Sequence, residues 1–403
     1  MEFGFTEEQE KLRKEIHEFF KTELPSDYGE APVRQGADLE QWAQEFQKKG
    51  VARGYPSAGW PKKYGGLGFT SMEQAIVSEE MTTWGVAWPG SMGYNLVAPV
   101  IMAVGTEEQK ERFVPPIARG EVFCFEAYTE PNAGSDEANI QLKAVRDGEY
   151  YLLNGQKTFI SGARKPDWLF TLARTADTIP KHRGISLFMV GGSAPGISYR
   201  PLPTMSDSRQ NEIFYDNVRV QKSDLIGEEN RGFYAAMATF EFERASVGLD
   251  ARRALRRLVD FCRREKKNGK RLIDDPDVRK MFAYMAMHEQ AQWLVGWYSA
   301  WRRSQRQKLG QQPYDLSMFL RKDWLPHSSN AMMNLFDMYG QLEYDSELAK
   351  YDGVIGRRWE SSRIIHPAGT PEILKVVLAN RGLGLPRIPR KFNATIAESL
   401  AQE

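Results

Sequence analysis

An α+β fold is predicted for this chain: an N-terminal α-helical domain over 1–120, a middle antiparallel β domain over 121–228 and a C-terminal four-helix bundle over 229–403. Three observations predict it. Helix-start signals and a helical apolar period recur through the first 120 residues. The period changes to two between about 121 and 227, and returns to the helical value beyond Gly227. With 403 residues, 41% of them apolar, the chain can bury two or three domains or one large composite core.

The first helix opens on Thr6-Glu7-Glu8-Gln9, a capping box, followed by Leu12, Ile16, Phe19 and Phe20 on one face. Residues 24–37 carry Pro and Gly and read as a loop. Leu39, Trp42 and Phe46 suggest a second helix, and residues 55–68, with Trp60-Pro61 and Gly65-Gly66, an ordered turn. Thr70-Ser71-Met72-Glu73 and Thr106-Glu107-Glu108-Gln109 repeat the capping box before further helices. Pro115 and Pro116 are expected to disturb the last of these, and Gly120 to end the region.

In the middle region Asp147-Gly148 and Asn154-Gly155 are hairpin dipeptides flanking Tyr150-Tyr151-Leu152-Leu153, so a tight turn is predicted at each. Residues 168–172, 185–190, 212–215 and 218–220 read as further strands. Past Gly227 one long helix is predicted from about Gly232 to Arg264, and another starts at Asp275-Pro276 with proline at its first position. The second carries Met281, Met285, Trp293, Trp297 and Trp301, which read as core because aromatics dominate packed interiors. Two more helices follow, near 316–342 and from Thr370-Pro371-Glu372, completing a bundle.

Charge excludes some partners. Lys plus Arg total 54 against 53 for Asp plus Glu, so nothing asks for nucleic acid or an acidic membrane surface. No uncharged apolar run is long enough to span a bilayer, and the acidic, amphipathic start resembles neither a signal nor a transit peptide. Cys124 and Cys262 lie in different segments without metal or redox spacing, and the five histidines form no zinc motif. A soluble, cytoplasmic protein with reduced thiols is expected.

The functional reading centres on Tyr128-Thr129-Glu130-Pro131-Asn132-Ala133-Gly134-Ser135-Asp136, a turn-rich stretch after the apolar run 122–125. Gly134 permits close backbone approach, and Thr129, Ser135 and main-chain N–H groups can donate to the oxygens of a diphosphate. An ordinary surface turn uses the same residue types. Two further blocks decide between these. Asn154-Gly155-Gln156-Lys157-Thr158-Phe159-Ile160-Ser161 follows at short range, and residues 359–386 contain Arg363, Gly369-Thr370, Glu372-Ile373 and Gly382-Leu383-Gly384-Leu385-Pro386. In that order the three blocks resemble the acyl-CoA dehydrogenase family, over nearly the whole chain.

The resemblance implies oxidation of an acyl-CoA thioester to its trans-2-enoyl form with FAD as cofactor, in acyl-CoA catabolism, and an electron-transferring flavoprotein as acceptor. It implies that Tyr128 and Thr129 meet the flavin ring and that Gly134 and Ser135 approach the cofactor diphosphate, Ser135 also lying near the substrate. Phe159 and Ser161 would stand against the ring, and Thr370 and Glu372 against the adenine-side half. For Phe159 the bland alternative is an ordinary strand core residue.

Many members place their catalytic glutamate immediately before the Gly-Thr of the last block. Here that position is Ala368. Other members carry it on the first long helix of the C-terminal domain, followed by arginine, and Glu243 and Arg244 match that pattern, as in isovaleryl- and long-chain-type members. Glu243 is therefore the expected base and Arg244 a substrate-side neighbour; a pair of solvated helix charges is the alternative. The placement hints at a branched or bulky acyl group.

Some segments depart from the family. Its Arg-x-x-Phe-Gly element, which reaches a neighbouring subunit's FAD, reads Glu265-Lys266-Lys267-Asn268-Gly269, and Glu126 stands where an apolar residue is usual. A homotetramer is expected, with a heterotetramer of unlike subunits as the other arrangement. The competing functions are a non-catalytic, FAD-sharing partner subunit, or a flavin oxidase or enoyl-CoA reductase.

Overall fold

The computed structural model describes residues 4–24, 37–162, 164–205, 210–243, 251–305, 312–343 and 346–387. The N-terminal region contains α1 (Glu7–Glu23), α2 (Ala37–Ala52), α3 (Ser71–Trp84), α4 (Ala98–Val104) and α5 (Glu107–Ala118). All three capping boxes form. The hydroxyls of Thr6, Thr70 and Thr106 accept the N–H of Gln9, Glu73 and Gln109, whose side chains accept the threonine N–H in return. Each such cap stabilises its helix by about 1 kcal/mol. The proline pair does not end α5. The helix runs through Pro115 and Pro116 to Ala118, with Phe113, Val114 and Ile117 buried, and burial of that face offsets the missing backbone donors.

The middle region is one sheet built from β1 (Cys124–Ala127), β2 (Lys143–Asp147), β3 (Tyr150–Ser161), β4 (Trp168–Arg174), β5 (Ile185–Gly191), β6 (Ile197–Leu202), β7 (Gln210–Gln221) and β8 (Leu225–Ile226). Its order is β6-β7-β3-β2-β4-β5-β8, with β1 pairing to β4. Most pairs are antiparallel; β4 pairs in parallel with β1 and, at Lys143 and Arg174, with β2.

Asp147-Gly148 makes the predicted hairpin, Asp147 pairing with Tyr150. Asn154-Gly155 makes none. It lies inside β3, where the register against β7 shifts between Leu153 and Gly155. The Asn154 carboxamide accepts from the Asn217 N–H and donates to the Asn217 side chain, stitching the bulge across both strands. Gly155, at φ +141, passes so close to the chain entering β2 that a Cβ would sit 3.0 Å from the Leu142 backbone. The stretches 212–215 and 218–220, read as two strands, are one: β7.

The C-terminal region contains α6 (Gly232–Glu243), α7 (Ala251–Arg264), a two-stranded hairpin of β9 (Lys266–Lys267) and β10 (Lys270–Arg271), then α8 (Pro276–Ser304), α9 (Gln312–Phe336), α10 (Val354–Ser361) and α11 (Pro371–Val377). The single helix expected over 232–264 is described as α6 and α7; residues 244–250 between them, Arg244 included, lie outside the described residues. Asp275 caps α8 by accepting from the N–H of Asp277 and Val278. Of the methionine and tryptophan stripe of α8, Met281, Met285, Trp293 and Trp297 join or pack against the core, whereas Trp301 is half-buried beside Tyr298. Met285 joins Leu258, Cys262, Phe282, Trp324 and Phe336, while Trp293 and Trp297 pack into the N-terminal core. Trp297 meets Phe5 edge to face, and Trp293 donates to Glu79 of α3, which also pairs with Arg13. The helical ends of the chain are thus packed together, with the sheet against both. Among the described residues no helix is long and apolar enough to cross a membrane.

Candidate active site

The 128–136 loop leaves β1 and is fastened from beneath. Glu130 and Ala133 exchange two backbone hydrogen bonds, at 3.0 and 3.1 Å, closing a tight turn over Pro131-Asn132. Under that turn the Lys157 side chain is fully buried, and its Nζ donates to the Tyr128 carbonyl and to Glu130 Oε1, both at 2.8 Å. The Glu130 carboxylate also accepts the backbone N–H groups of Gln141 and Leu142. The Thr158 N–H donates to the Thr129 carbonyl at 2.9 Å. Two motifs that are separate in the sequence are therefore one unit, joined by a buried ion pair whose polar atoms are satisfied. The ring of Tyr128 is buried near Phe170, Thr129 is half-buried, and Gly134 and Ser135 are exposed.

A second carboxyl, that of Glu137, acts on Lys157 electrostatically. Burial draws the Lys157 ammonium down from its ordinary range, opposed by Glu130 and Glu137, and burial pushes Glu137 up to about 7 against the pull of Lys157. A carboxyl whose folded pKa lies above its unfolded value favours the folded state only while protonated. Its contribution is complete below the unfolded pKa of about 4.5 and is lost as pH rises through about 7. Glu137→Gln is expected to leave the melting temperature unchanged at pH 4, below the unfolded pKa, and to raise it at pH 8. Equal shifts at both values would contradict this.

Phe159 is the clearest local anomaly. It sits at φ +58 in a second register shift of β3, between Lys157 and Ile160, and its side chain is 57% exposed. The core-residue alternative is thereby ruled out. Bulky residues rarely occupy the left-handed region, and such strain collects at ligand sites. Ser161, exposed, ends the same strand. Gly134 is the counterpart on the loop. A Cβ there would meet nothing within 4 Å and its φ is not positive, so no packing among the described residues requires glycine.

The C-terminal block is held on α9. Thr370 caps α11, its hydroxyl accepting the Ile373 N–H, and Glu372 lies exposed in the first turn. Hydrogen bonds from its own backbone N–H and from Thr370 hold its carboxyl below the usual range. The Arg363 guanidinium lies over Trp359 and donates to the Pro326 carbonyl, Ser329 and Asn330. Ala368 has φ +56 and Gly369 φ +89. Sequence reading missed Lys322, whose buried ammonium donates to the carbonyls of Pro367 and Gly369. Its signal was a lysine among Phe319, Trp324 and Leu325.

Glu243 is the last described residue of α6, and its side chain and Arg244 lie outside the described residues. The N-terminus of α6 is pressed onto β5: a Cβ on Gly232 would sit 2.4 Å from the Ser186 carbonyl carbon. The departure at 265–269 forms the β9–β10 hairpin, turned by Asn268 and Gly269 at positive φ, with Lys267 paired to Asp337. Glu126 is half-buried on β1 opposite Phe170.

Residues 6–121, 125–218 and 230–383 match, respectively, the N-terminal, middle and C-terminal domains of acyl-CoA dehydrogenases. The chain belongs to the acyl-CoA dehydrogenase family. It is 31% identical to acyl-CoA dehydrogenase FadE26 of Mycobacterium tuberculosis, with 97% of this chain and all of that one covered. It is similar to a chain of the ChsE4–ChsE5 complex from the same organism, at 30% identity, with a TM-score of 0.85 and coverage of 96% and 100%. It also resembles a chain of the Tcur3481–Tcur3483 steroid acyl-CoA dehydrogenase, at 29% identity, with a TM-score of 0.84 and the same coverage. As a member of this family the chain is an oxidoreductase acting on acyl-CoA, with FAD as its cofactor. Phe159 and Gly134 fit that group. One offers an exposed aromatic face to a flat ring system, and the other leaves open space beside main-chain donors.

Proposed function

We propose that this chain catalyses α,β-dehydrogenation of a bulky acyl-CoA thioester to the trans-2-enoyl-CoA. The observation that carries the reading is Phe159, exposed at φ +58 on the strand that Lys157 locks to the 128–136 loop. When bound, FAD accepts the β-hydrogen as hydride. Glu243 takes the α-proton onto its carboxylate, and the electron pair of that C–H bond becomes the new C=C bond as the hydride departs. The chain's other residues bind and orient: Phe159, Ser161 and the Tyr128–Thr129 backbone at the ring, Gly134 and Ser135 at the phosphates, and Thr370 and Glu372 at the adenine side. Arg244 holds the substrate beside the base. A carboxylate must gain basicity to remove so weakly acidic a proton, and burial beside an apolar acyl group supplies it.

Support for a bulky substrate comes from the steroid-acting relative and from Ala368, a methyl group where many members carry the glutamate. The electron acceptor in this reading is an electron-transferring flavoprotein, and the assembly a tetramer. A second reading, assembly with an unlike subunit, is favoured by the rebuilt 265–271 hairpin and by the paired chains named in both relatives.

Anaerobic titration of the FAD-loaded protein tests this. Short straight, long straight, branched, dicarboxylic and polycyclic acyl-CoAs would each be added while the visible flavin band is followed. Bleaching by the polycyclic or branched thioesters is expected. A loaded protein bleached by none would overturn the reading, and loading only in the presence of an unlike chain would establish the second.

A further inference from the structure

We propose that Lys322 is a positioning residue that holds the 366–370 loop in the conformation the substrate meets. The inference rests on the dehydrogenase reading above for its catalytic consequence, and on geometry for the rest. On α9, Phe319, Lys322, Pro326, Ser329 and Asn330 fall at helical spacing on one face, and each engages the chain between α10 and α11 or those helices themselves. Lys375 lies over the Phe319 ring at 5.5 Å, Ser329 bonds Ser362 at 2.6 Å, and Pro326, Ser329 and Asn330 receive Arg363. Within this row Lys322 is the member that reaches the loop itself. Only 6% exposed, it donates from Nζ to the carbonyl oxygens of Pro367 and Gly369, on either side of Ala368.

What the ammonium grips is an unusual turn. Ala368 and Gly369 are both left-handed, at φ +56 and +89. Glycine takes such a conformation freely, whereas alanine does so at a steric cost. Two consecutive left-handed residues turn the carbonyls of 367 and 369 toward one cation, and the chain then enters α11 with Thr370 at its N-cap. The ammonium offsets the cost at Ala368 and thereby fixes where Ala368 and Thr370 stand. A lysine serves here because its compact charge donates several hydrogen bonds from one point.

The test compares the wild type, Lys322→Met and Lys322→Met with Ala368→Gly, all loaded with FAD. Readouts are the visible flavin spectrum, FAD retained after gel filtration, and kcat and KM for an acyl-CoA that bleaches the wild type. Lys322→Met is expected to shift the flavin band, lose FAD faster and lower kcat/KM at least tenfold. Glycine at 368 is expected to recover much of that loss, because it holds the turn without a Cβ. A residue that merely fills the bundle would lower the melting temperature without this recovery, and that outcome, or an unchanged spectrum and FAD retention, would overturn the proposal. If Lys322→Met does not fold, Lys322→Gln, which keeps a donor, is read with and without Ala368→Gly in the same way. Should no acyl-CoA bleach the wild type, the dehydrogenase reading fails, while the spectrum and FAD retention still decide the role of Lys322.

Discussion

Glu243→Gln is expected to abolish bleaching of the flavin by acyl-CoA while leaving FAD binding intact. Glutamine keeps the size and hydrogen-bonding edge of glutamate but cannot accept the α-proton, so the change isolates basicity. A positioned general base contributes about 10²–10⁴-fold, and the rate of flavin reduction should fall by at least that much. Each tenfold corresponds to about 1.4 kcal/mol of transition-state stabilisation. Glu243 stands at the end of α6, a helix seated on β5 through Gly232. Ala368 leaves the usual alternative without a carboxylate. Stopped-flow absorbance under anaerobic conditions measures it. Bleaching at the wild-type rate would assign the base elsewhere and keep the enzyme.

Lys157→Met is expected to be the most damaging single change among the described site residues. It removes the donor to the Tyr128 carbonyl and leaves the Glu130 carboxylate buried with only two backbone N–H partners. Breaking a buried pair by deleting one partner costs about 3–5 kcal/mol, mostly from the charge left behind. The loop should detach from β3, so FAD retention should fall together with the melting temperature. Adding Glu130→Gln should restore part of the stability, since it removes the stranded charge. Thermal melts of the single and double variants check this; a single variant that melts with the wild type and keeps its FAD would show that the pair does not hold the loop.

Much of this protein is legible in local patterns. Three Thr-x-x-Glu/Gln boxes predicted three helix starts because the reciprocal bonds they make involve residues only three apart. The change from helical to strand period located the sheet, and Asp147-Gly148 located one hairpin. Asn154-Gly155 misled for a physical reason. The same residues that favour a two-residue turn also suit a bulge, and the choice was made by β7, which pairs along the whole of β3 and presents Asn217 to Asn154. The proline pair likewise looked disruptive until the packing of Phe113 and Ile117 could be seen.

By itself the sequence determined the helix–sheet–helix order, the three motif blocks and the family, because caps, periods and short motifs depend on neighbours a few residues apart. Tertiary structure alone decided that Lys157 joins two of those blocks through one buried ammonium. It also decided that Phe159 faces outward at a strained bulge and that Lys322 grips the loop around Ala368. A lysine reads as surface in any window of sequence. It becomes an interior fastening only when carboxylates or carbonyls brought from 27 or 45 residues away surround it, and burial then makes those hydrogen bonds obligatory.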